Sequence, residues 1–248
     1  MDDSLAGKVA LVTGGGRRVG AAIARRLHAA GASVLLHYRD SEADATRLAG
    51  ELNATRPKSA AKVKAELLAP IAPRALVSAA LESFGRLDLL VNNASTFFPV
   101  AVGAMEASHW EELIGSNLRA PLFISQQAAD ELAKNEGSIV NIVDIHAERP
   151  LKGYALYSIA KAGLAAMTRS LARELAPRVR VNGVAPGAIA WPEDGQFADD
   201  ERARILATTP LARVGSPQDV ARAVHFLACA AYVTGEIIAV DGGRSIFI

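Results

Sequence analysis

Tyr157 and Lys161 stand four residues apart in "YALYSIAKAGLAAMTRSLARELA", residues 154–176, where apolar residues recur with helical period. Residues i and i+4 share a helix face, so the phenol and the ammonium project together. An ammonium a few ångströms from a phenol stabilises the phenolate. The spacing therefore predicts a tyrosine pKa drawn down from about 10 towards working pH, where acid–base catalysis is most efficient. An exposed Tyr and Lys on an amphipathic helix would show the same spacing. Tyr154 is a second phenol one turn earlier, but Ser158, not a lysine, follows it at i+4. Asp144 ends the apolar run "SIVNIV" thirteen residues before Tyr157. That places a carboxylate at the carboxyl end of a central strand, where open α/β sheets bind ligands. A helix-capping or surface carboxylate is the alternative.

The elements that must position these groups are legible as an alternation. The runs "KVALVTG", "SVLLHY", "KVKAEL", "LDLLVNNA", "SIVNIV", "RVRVNGVAP" and "EIIAVDGG" suit strands buried on both faces, as a parallel sheet covered by helices requires. Between them lie helical patterns such as "AAIARRLHAAG", in which Ile23, Leu27 and Ala30 share a face and Gly31 follows as a cap. The pattern predicts one doubly wound Rossmann-type α/β domain over residues 1–248, with about seven parallel strands and helices on both faces. Residues 187–205, "GAIAWPEDGQFADDERARI", break the rhythm and are expected to form a substrate lid.

With 248 residues, 50% of them hydrophobic, the chain can bury one large core and has no window apolar enough to span a membrane. Its 27 Lys and Arg against 26 Asp and Glu leave a net charge of +1, so nothing advertises nucleic acid or anionic lipid as a partner. Cys229 is the only cysteine, which excludes an internal disulfide and a thiolate metal site. His28, His37, His109, His146 and His225 lack ligand spacing, and no metal is expected. The start "MDDSLAGKVALVTG" enters a strand without a signal peptide, so a cytoplasmic location is expected.

The glycines of "VTGGGRRVGAAIARRL" fall between the first strand and the first helix. There the backbone can approach a pyrophosphate, and the free amides and dipole of the helix N-terminus attract its charge. At the tip of the second strand an acidic residue would accept from a ribose 2′-hydroxyl, whereas a cation would pair with a 2′-phosphate. The sequence offers Tyr38 and Arg39 there, with Arg18 nearby, so NADPH is expected over NADH. Asp40 is the residue that would reverse this preference.

Over its whole length the chain resembles the short-chain dehydrogenase/reductases: "TGGGRRVG", "NNAS", Asn117 in "GSNLRAP", the YxxxK pair, "VAPG" at 184–187 and "VTGEIIAVDGG" fall in order. The resemblance implies Tyr157 as general acid, Lys161 as holder of the nicotinamide ribose, and Asn117 as organiser of a relay water. It places Gly14, Arg17, Arg18, Val19, His37, Tyr38, Arg39, Asn93 and Ala94 along the cofactor, and Pro186, Gly187 and Ile189 beside the nicotinamide. Glu66 replaces the family's usual aspartate beside adenine. Two departures, Arg18 for a motif glycine and Asp144 for the usual serine, resemble the pteridine-reducing subgroup, as do "HYRDS" and "NNASTFF". That likeness implies a pterin-like substrate held by Arg18, Ser95, Phe97, Asp144 and Tyr157, with Phe97 stacked on the ring opposite the nicotinamide, and a homotetramer. Trp191, in the expected lid, either covers substrate or anchors the segment, and His146 and Arg149 flank the site.

A carboxylate suits this chemistry. A serine hydroxyl suffices to hold a ketone oxygen, but a carbon–nitrogen double bond has a basic nitrogen that must end protonated, and a pterin edge presents N–H donors. A 3-oxoacyl reductase, or a non-catalytic NADP-binding regulator, are the competing expectations; the first leaves Asp144, Arg18 and Phe97 without a role.

Overall fold

The computed structural model describes residues 4–191 and 198–247. Seven parallel strands form a single sheet in the order β3-β2-β1-β4-β5-β6-β7. They are β1 (Val9–Val12), β2 (Ser33–Tyr38), β3 (Ala60–Lys64), β4 (Leu89–Asn92), β5 (Ser138–Ile142), β6 (Arg180–Pro186) and β7 (Ile237–Val240). Between them run helices α1 (Arg18–Ala29), α2 (Glu42–Thr55), α3 (Ala72–Phe84), α4 (Ala107–Ile114), α5 (Ala120–Lys134), α6 (Ala155–Leu175), α7 (Asp199–Ala207) and α8 (Pro217–Cys229).

Alternation along the strands divides the core in two. Ala10, Val12, Val34, Leu36, Val140 and Val184 pack with Ile23 and Leu27 of α1 and Val220, Val224 and Leu227 of α8 on one face. Val9, Leu11, Leu35, Leu90, Ile139 and Val181 meet Leu76 of α3 and Ile124 and Leu132 of α5 on the other. Burying each such side chain is worth about 1.5–3 kcal/mol, which is why the central runs carry apolar residues at every position rather than every second one. The expectation of burial on both faces holds for β1, β2, β4, β5 and β6. It fails at the edges: after buried Ala60, β3 alternates between half-buried and exposed residues, and β7 is only partly covered, because each edge strand lacks a neighbour on one side. β3 also begins two residues before the expected "KVKAEL" run and ends at Lys64.

The strand order reverses between β1 and β4, so their carboxyl ends part and open a crevice. Thr13 spans it: its Oγ1 accepts from the amides of Asn93 (2.9 Å) and Ala94 (3.0 Å). The next two strands are tied to α6 by buried amides. Asn92 Nδ2 donates to Asn141 Oδ1 (2.8 Å), and Asn141 Nδ2 donates to Thr168 Oγ1 (2.9 Å). This ladder sets α6, with Tyr157 and Lys161, against the carboxyl end of β5.

The irregular segment expected over 187–205 is shorter than that. Residues 192–197, the polar middle of the expected lid, lie outside the described residues, and from Asp199 the chain is the helix α7. Asp199, Asp200 and Glu201 fill its first turn, where negative charge complements the exposed amides. No described helix is long and apolar enough to cross a membrane.

Candidate active site

A cavity of about 880 Å³ runs along the carboxyl ends of the strands. One end is the glycine turn. Gly14 adopts φ +61, and a Cβ on Gly20 would lie 2.1 Å from the Gly14 carbonyl oxygen. α1 begins there with no side-chain cap on its first amides and no acidic residue in its first turn. Uncapped amides at a helix start, against backbone approachable only because side chains are missing, fit a pyrophosphate. Arg17, Arg18 and Val19 line the same end, and Arg17 pairs with Asp44 (3.2 Å).

Arg18, the residue that replaces a motif glycine, stands at φ +48. A side chain in that left-handed region costs about 1–2 kcal/mol, which glycine would avoid. Its guanidinium donates to the Ala190 carbonyl oxygen (3.0 Å), bridging the glycine turn to the segment after β6. Pro186, Gly187, Ile189 and Trp191 of that segment line the cavity. Trp191 lines the cavity and lies under the Arg202 guanidinium of α7, 5.5 Å from the ring centre.

At the tip of β2, Tyr38 and Arg39 line the cavity with Ser41, which begins α2. Arg39 Nε donates to Asp40 Oδ2 (2.7 Å), pairing the strand-tip cation with the carboxylate that follows it. Glu66 follows β3, also faces the cavity, and accepts from the Leu68 amide (3.1 Å). His37 is buried with both ring nitrogens occupied: Nδ1 accepts from the Gly14 amide and Nε2 faces the Ala65 carbonyl oxygen, each at 3.1 Å. Asn93 and Ala94 line the wall, with the Asn93 amide donating to the Thr13 (2.9 Å) and Gly14 (3.2 Å) carbonyl oxygens.

The reactive end is built by β5, the turn after it, and α6. Both carboxylate oxygens of Asp144 are hydrogen-bonded. Oδ1 caps the short helical turn Ile145–Ala147 by accepting from the His146 amide (2.8 Å), and Oδ2 accepts from the Tyr157 hydroxyl (2.7 Å). Lys161 is buried, with Nζ 2.9 Å from the Ile142 carbonyl oxygen and 5.5 Å from the Tyr157 ring centre. Burial lowers its pKa to about 8, with the Asp144 charge opposing.

The expected depression of the tyrosine pKa is not what this geometry produces. Burial, followed by the charge of Asp144 and its hydrogen bond, pushes the Tyr157 phenol well above its ordinary value, with Ser95 opposing. The spacing put an ammonium beside the phenol; it could not show that the carboxylate would be the group touching the hydroxyl. A phenol held protonated is equipped to deliver a proton rather than to remove one.

Phe97 lines the cavity beside these groups, its ring edge-on to Tyr157 (4.7 Å) and stacked on Tyr154 (4.4 Å). Tyr154 thus backs the aromatic wall and is no rival acid. Asn117 lies in a widened helical turn, Gly115–Arg119, and is fully buried. Its amide donates to the Thr96 and Leu113 carbonyl oxygens, and its Oδ1 accepts from Ser95 Oγ (2.6 Å). Asn117 does not itself line the cavity, but its side chain accepts from Ser95, which does. Arg149 also stays outside the lining, donating to the Ser245 carbonyl oxygen (3.2 Å), whereas His146 lines it. Ser41, Thr208 and Arg244 line the cavity without having been expected. "HYRDS" carried the signal for Ser41; nothing local marks the other two, which arrive from the distant chain. Among the described residues no cluster of His, Cys, Asp or Glu could hold a metal.

Residues 15–245 match a family model described as enoyl-(acyl carrier protein) reductase. Pteridine reductase 1 of Leishmania tarentolae is 41% identical, with 99% of each chain covered. A putative ketoacyl reductase 2 of the granaticin polyketide synthase from Streptomyces violaceoruber is 37% identical over 95% of each chain. A 3-oxoacyl-[acyl-carrier-protein] reductase of Synechocystis sp. is 36% identical over 98% of this chain and 99% of its own. The parallel seven-stranded sheet, the Tyr157 and Lys161 pair at its carboxyl edge and these whole-length matches agree: the chain belongs to the short-chain dehydrogenase/reductase family of oxidoreductases.

Proposed function

We propose that the protein is an NADPH-dependent reductase of a pteridine, acting on a carbon–nitrogen double bond of a dihydropterin, an oxidised pterin or dihydrofolate. The observation that carries this reading is the Tyr157 hydroxyl donating to Asp144 Oδ2 (2.7 Å) beside the Phe97 ring. The likeness to a pteridine reductase supports it.

Bound in the cleft, the nicotinamide would supply a hydride to a ring carbon adjacent to nitrogen. Tyr157 delivers the proton to that nitrogen, its hydroxyl aimed by Asp144 and its phenol kept protonated by burial and by the Asp144 charge. Asp144 then serves as the local acceptor for N–H groups on the substrate edge and as a route by which Tyr157 regains its proton. Phe97, backed by Tyr154, offers an aromatic face for a flat heterocycle. Lys161 supplies a positive charge at the ribose end of the pair. Arg18 and Arg39 are the cations for a 2′-phosphate and pyrophosphate, and the pairing of Asp40 with Arg39 supports NADPH over NADH.

The deciding experiment is a panel of dihydrobiopterin, dihydromonapterin and dihydrofolate against acetoacetyl thioesters, each with NADPH and NADH. Turnover of a pterin with NADPH is expected; turnover of the thioesters alone would make the protein a ketoacyl reductase. Asp144→Ser is expected to lower pterin turnover about 10²-fold or more with NADPH binding intact, since it removes both the proton route and the substrate's acceptor. An unchanged rate would reduce Asp144 to a cap.

Lys161 sets the alkaline limit. Its ammonium is charged below about pH 8 and neutral above, so kcat/KM is expected to fall with a midpoint near pH 8. Stability should move the other way: the unfolded chain keeps this proton to about pH 10.5, so between 8 and 10.5 rising pH favours the folded state. A rate profile flat to pH 10 would show that the charge is not used.

A further inference from the structure

We infer that His37 is a positioning residue of the cofactor cleft, whose neutral imidazole with hydrogen on Nε2 pins Gly14 in its cofactor-receiving conformation. The inference rests on the reading of that cleft as a nicotinamide dinucleotide site. The geometry fixes the tautomer. The Gly14 amide can only donate, so Nδ1, 3.1 Å away, must carry a lone pair. The Ala65 carbonyl oxygen can only accept, so Nε2, also 3.1 Å away, must carry the hydrogen. The ring is therefore a rigid strut between the turn after β1 and the end of β3, cemented by Gly15 N donating to the His37 carbonyl oxygen (2.9 Å) and Ala65 N donating to that of Tyr38 (3.1 Å).

Protonation breaks the strut. A proton on Nδ1 would face the Gly14 N–H donor to donor, and the turn whose backbone must approach a pyrophosphate would lose its fixed point. Buried His37 titrates below its ordinary 6.5, the desolvation being opposed by the Ala65 bond and the Glu66 charge. Other charges around it are engaged or directed outward: Arg39, just after β2, with Asp40 and with Glu66 (3.9 Å), Arg17 of the glycine turn with Asp44, Arg18 with Ala190, and Lys64 of β3 exposed. Cofactor affinity should therefore be lost on the acid side through the titration of this imidazole.

Two variants separate the halves of the strut. In His37→Asn the amide oxygen can take the place of Nδ1, keeping an acceptor for Gly14 that does not titrate. His37→Gln reaches Ala65 but leaves the Gly14 amide without its acceptor. NADPH dissociation constants are measured by nicotinamide fluorescence from pH 5 to 8, with melting temperatures in parallel. Taking the ratio to His37→Asn at each pH cancels the titration of the NADPH phosphate itself. We expect His37→Asn within about threefold of wild type at pH 7.5, His37→Gln about tenfold weaker, and wild type falling about tenfold relative to His37→Asn by pH 5. A flat ratio with binding intact overturns this inference alone. Wild type binding neither NADPH nor NADH overturns the cofactor reading and the inference with it. Should both variants fail to fold, nitrogen-15 NMR of the wild-type ring with NADPH bound decides: hydrogen on Nε2 at pH 7.5 supports the strut, hydrogen on Nδ1 sinks it.

Discussion

Tyr157→Phe is expected to reduce turnover by about 10²–10⁴-fold while leaving NADPH affinity within a few-fold of wild type. The ring survives in this variant, and with it the edge-on contact to Phe97 at 4.7 Å, so the aromatic wall stays in place. What disappears is the hydroxyl that donates to Asp144 Oδ2. Nothing else at that point of the cavity carries a proton held so firmly: the phenol is kept protonated by burial and by the adjacent carboxylate. Asp144 would be left with one oxygen capping the following turn and the other without its donor, so a modest loss of stability should accompany the loss of rate. Steady-state kinetics with a fluorescence titration of NADPH separates the two effects. Full activity in Tyr157→Phe would end the proton-transfer scheme.

Among the described glycines, Gly20→Ala is expected to be the most damaging, since its new Cβ makes the shortest contact. The new Cβ would lie 2.1 Å from the Gly14 carbonyl oxygen and 2.7 Å from Asn93 Nδ2. The first is backbone, and the second is an amide already donating to Thr13 and Gly14, so neither can swing aside. The glycine turn and the start of α1 must separate, at a cost of about 1–3 kcal/mol or more. A fall in melting temperature of about 2–12 °C follows for a domain of this size. NADPH affinity should fall at least tenfold, because the separation opens the cradle itself. Gly50→Ala is the control: a Cβ there meets nothing within 4 Å, and the position lies inside α2, where alanine favours the helix by about 0.5–1 kcal/mol. Calorimetry showing equal effects for the two substitutions would refute the packing argument.

Much of this molecule is determined locally. The apolar runs specified the strands because a parallel strand covered on both faces must be apolar throughout, and the glycines specified the β1–α1 turn because a Cβ cannot fit there. Spacing put Tyr157 and Lys161 on one face of α6, since a helix repeats every 3.6 residues. Edge exposure of β3 and β7 was not legible, because it depends on the order in which strands pair rather than on their composition.

The site's electrostatics belonged to the tertiary structure alone. Asp144 and Tyr157 are far enough apart in the chain that only the packing of α6 against the end of β5 decides that an oxygen of one accepts from the hydroxyl of the other. Burial of the phenol, reinforced by the charge of Asp144 and its hydrogen bond, raises the tyrosine pKa where the lysine spacing alone implied a fall. Likewise, the sequence marked Asn117, but its contact with Ser95 follows from the widened turn that buries it. The types and spacings of residues determined which groups are available for hydride and proton chemistry. Which of them touch is set by long-range packing, because a hydrogen bond depends on distances that close only when the sheet is assembled.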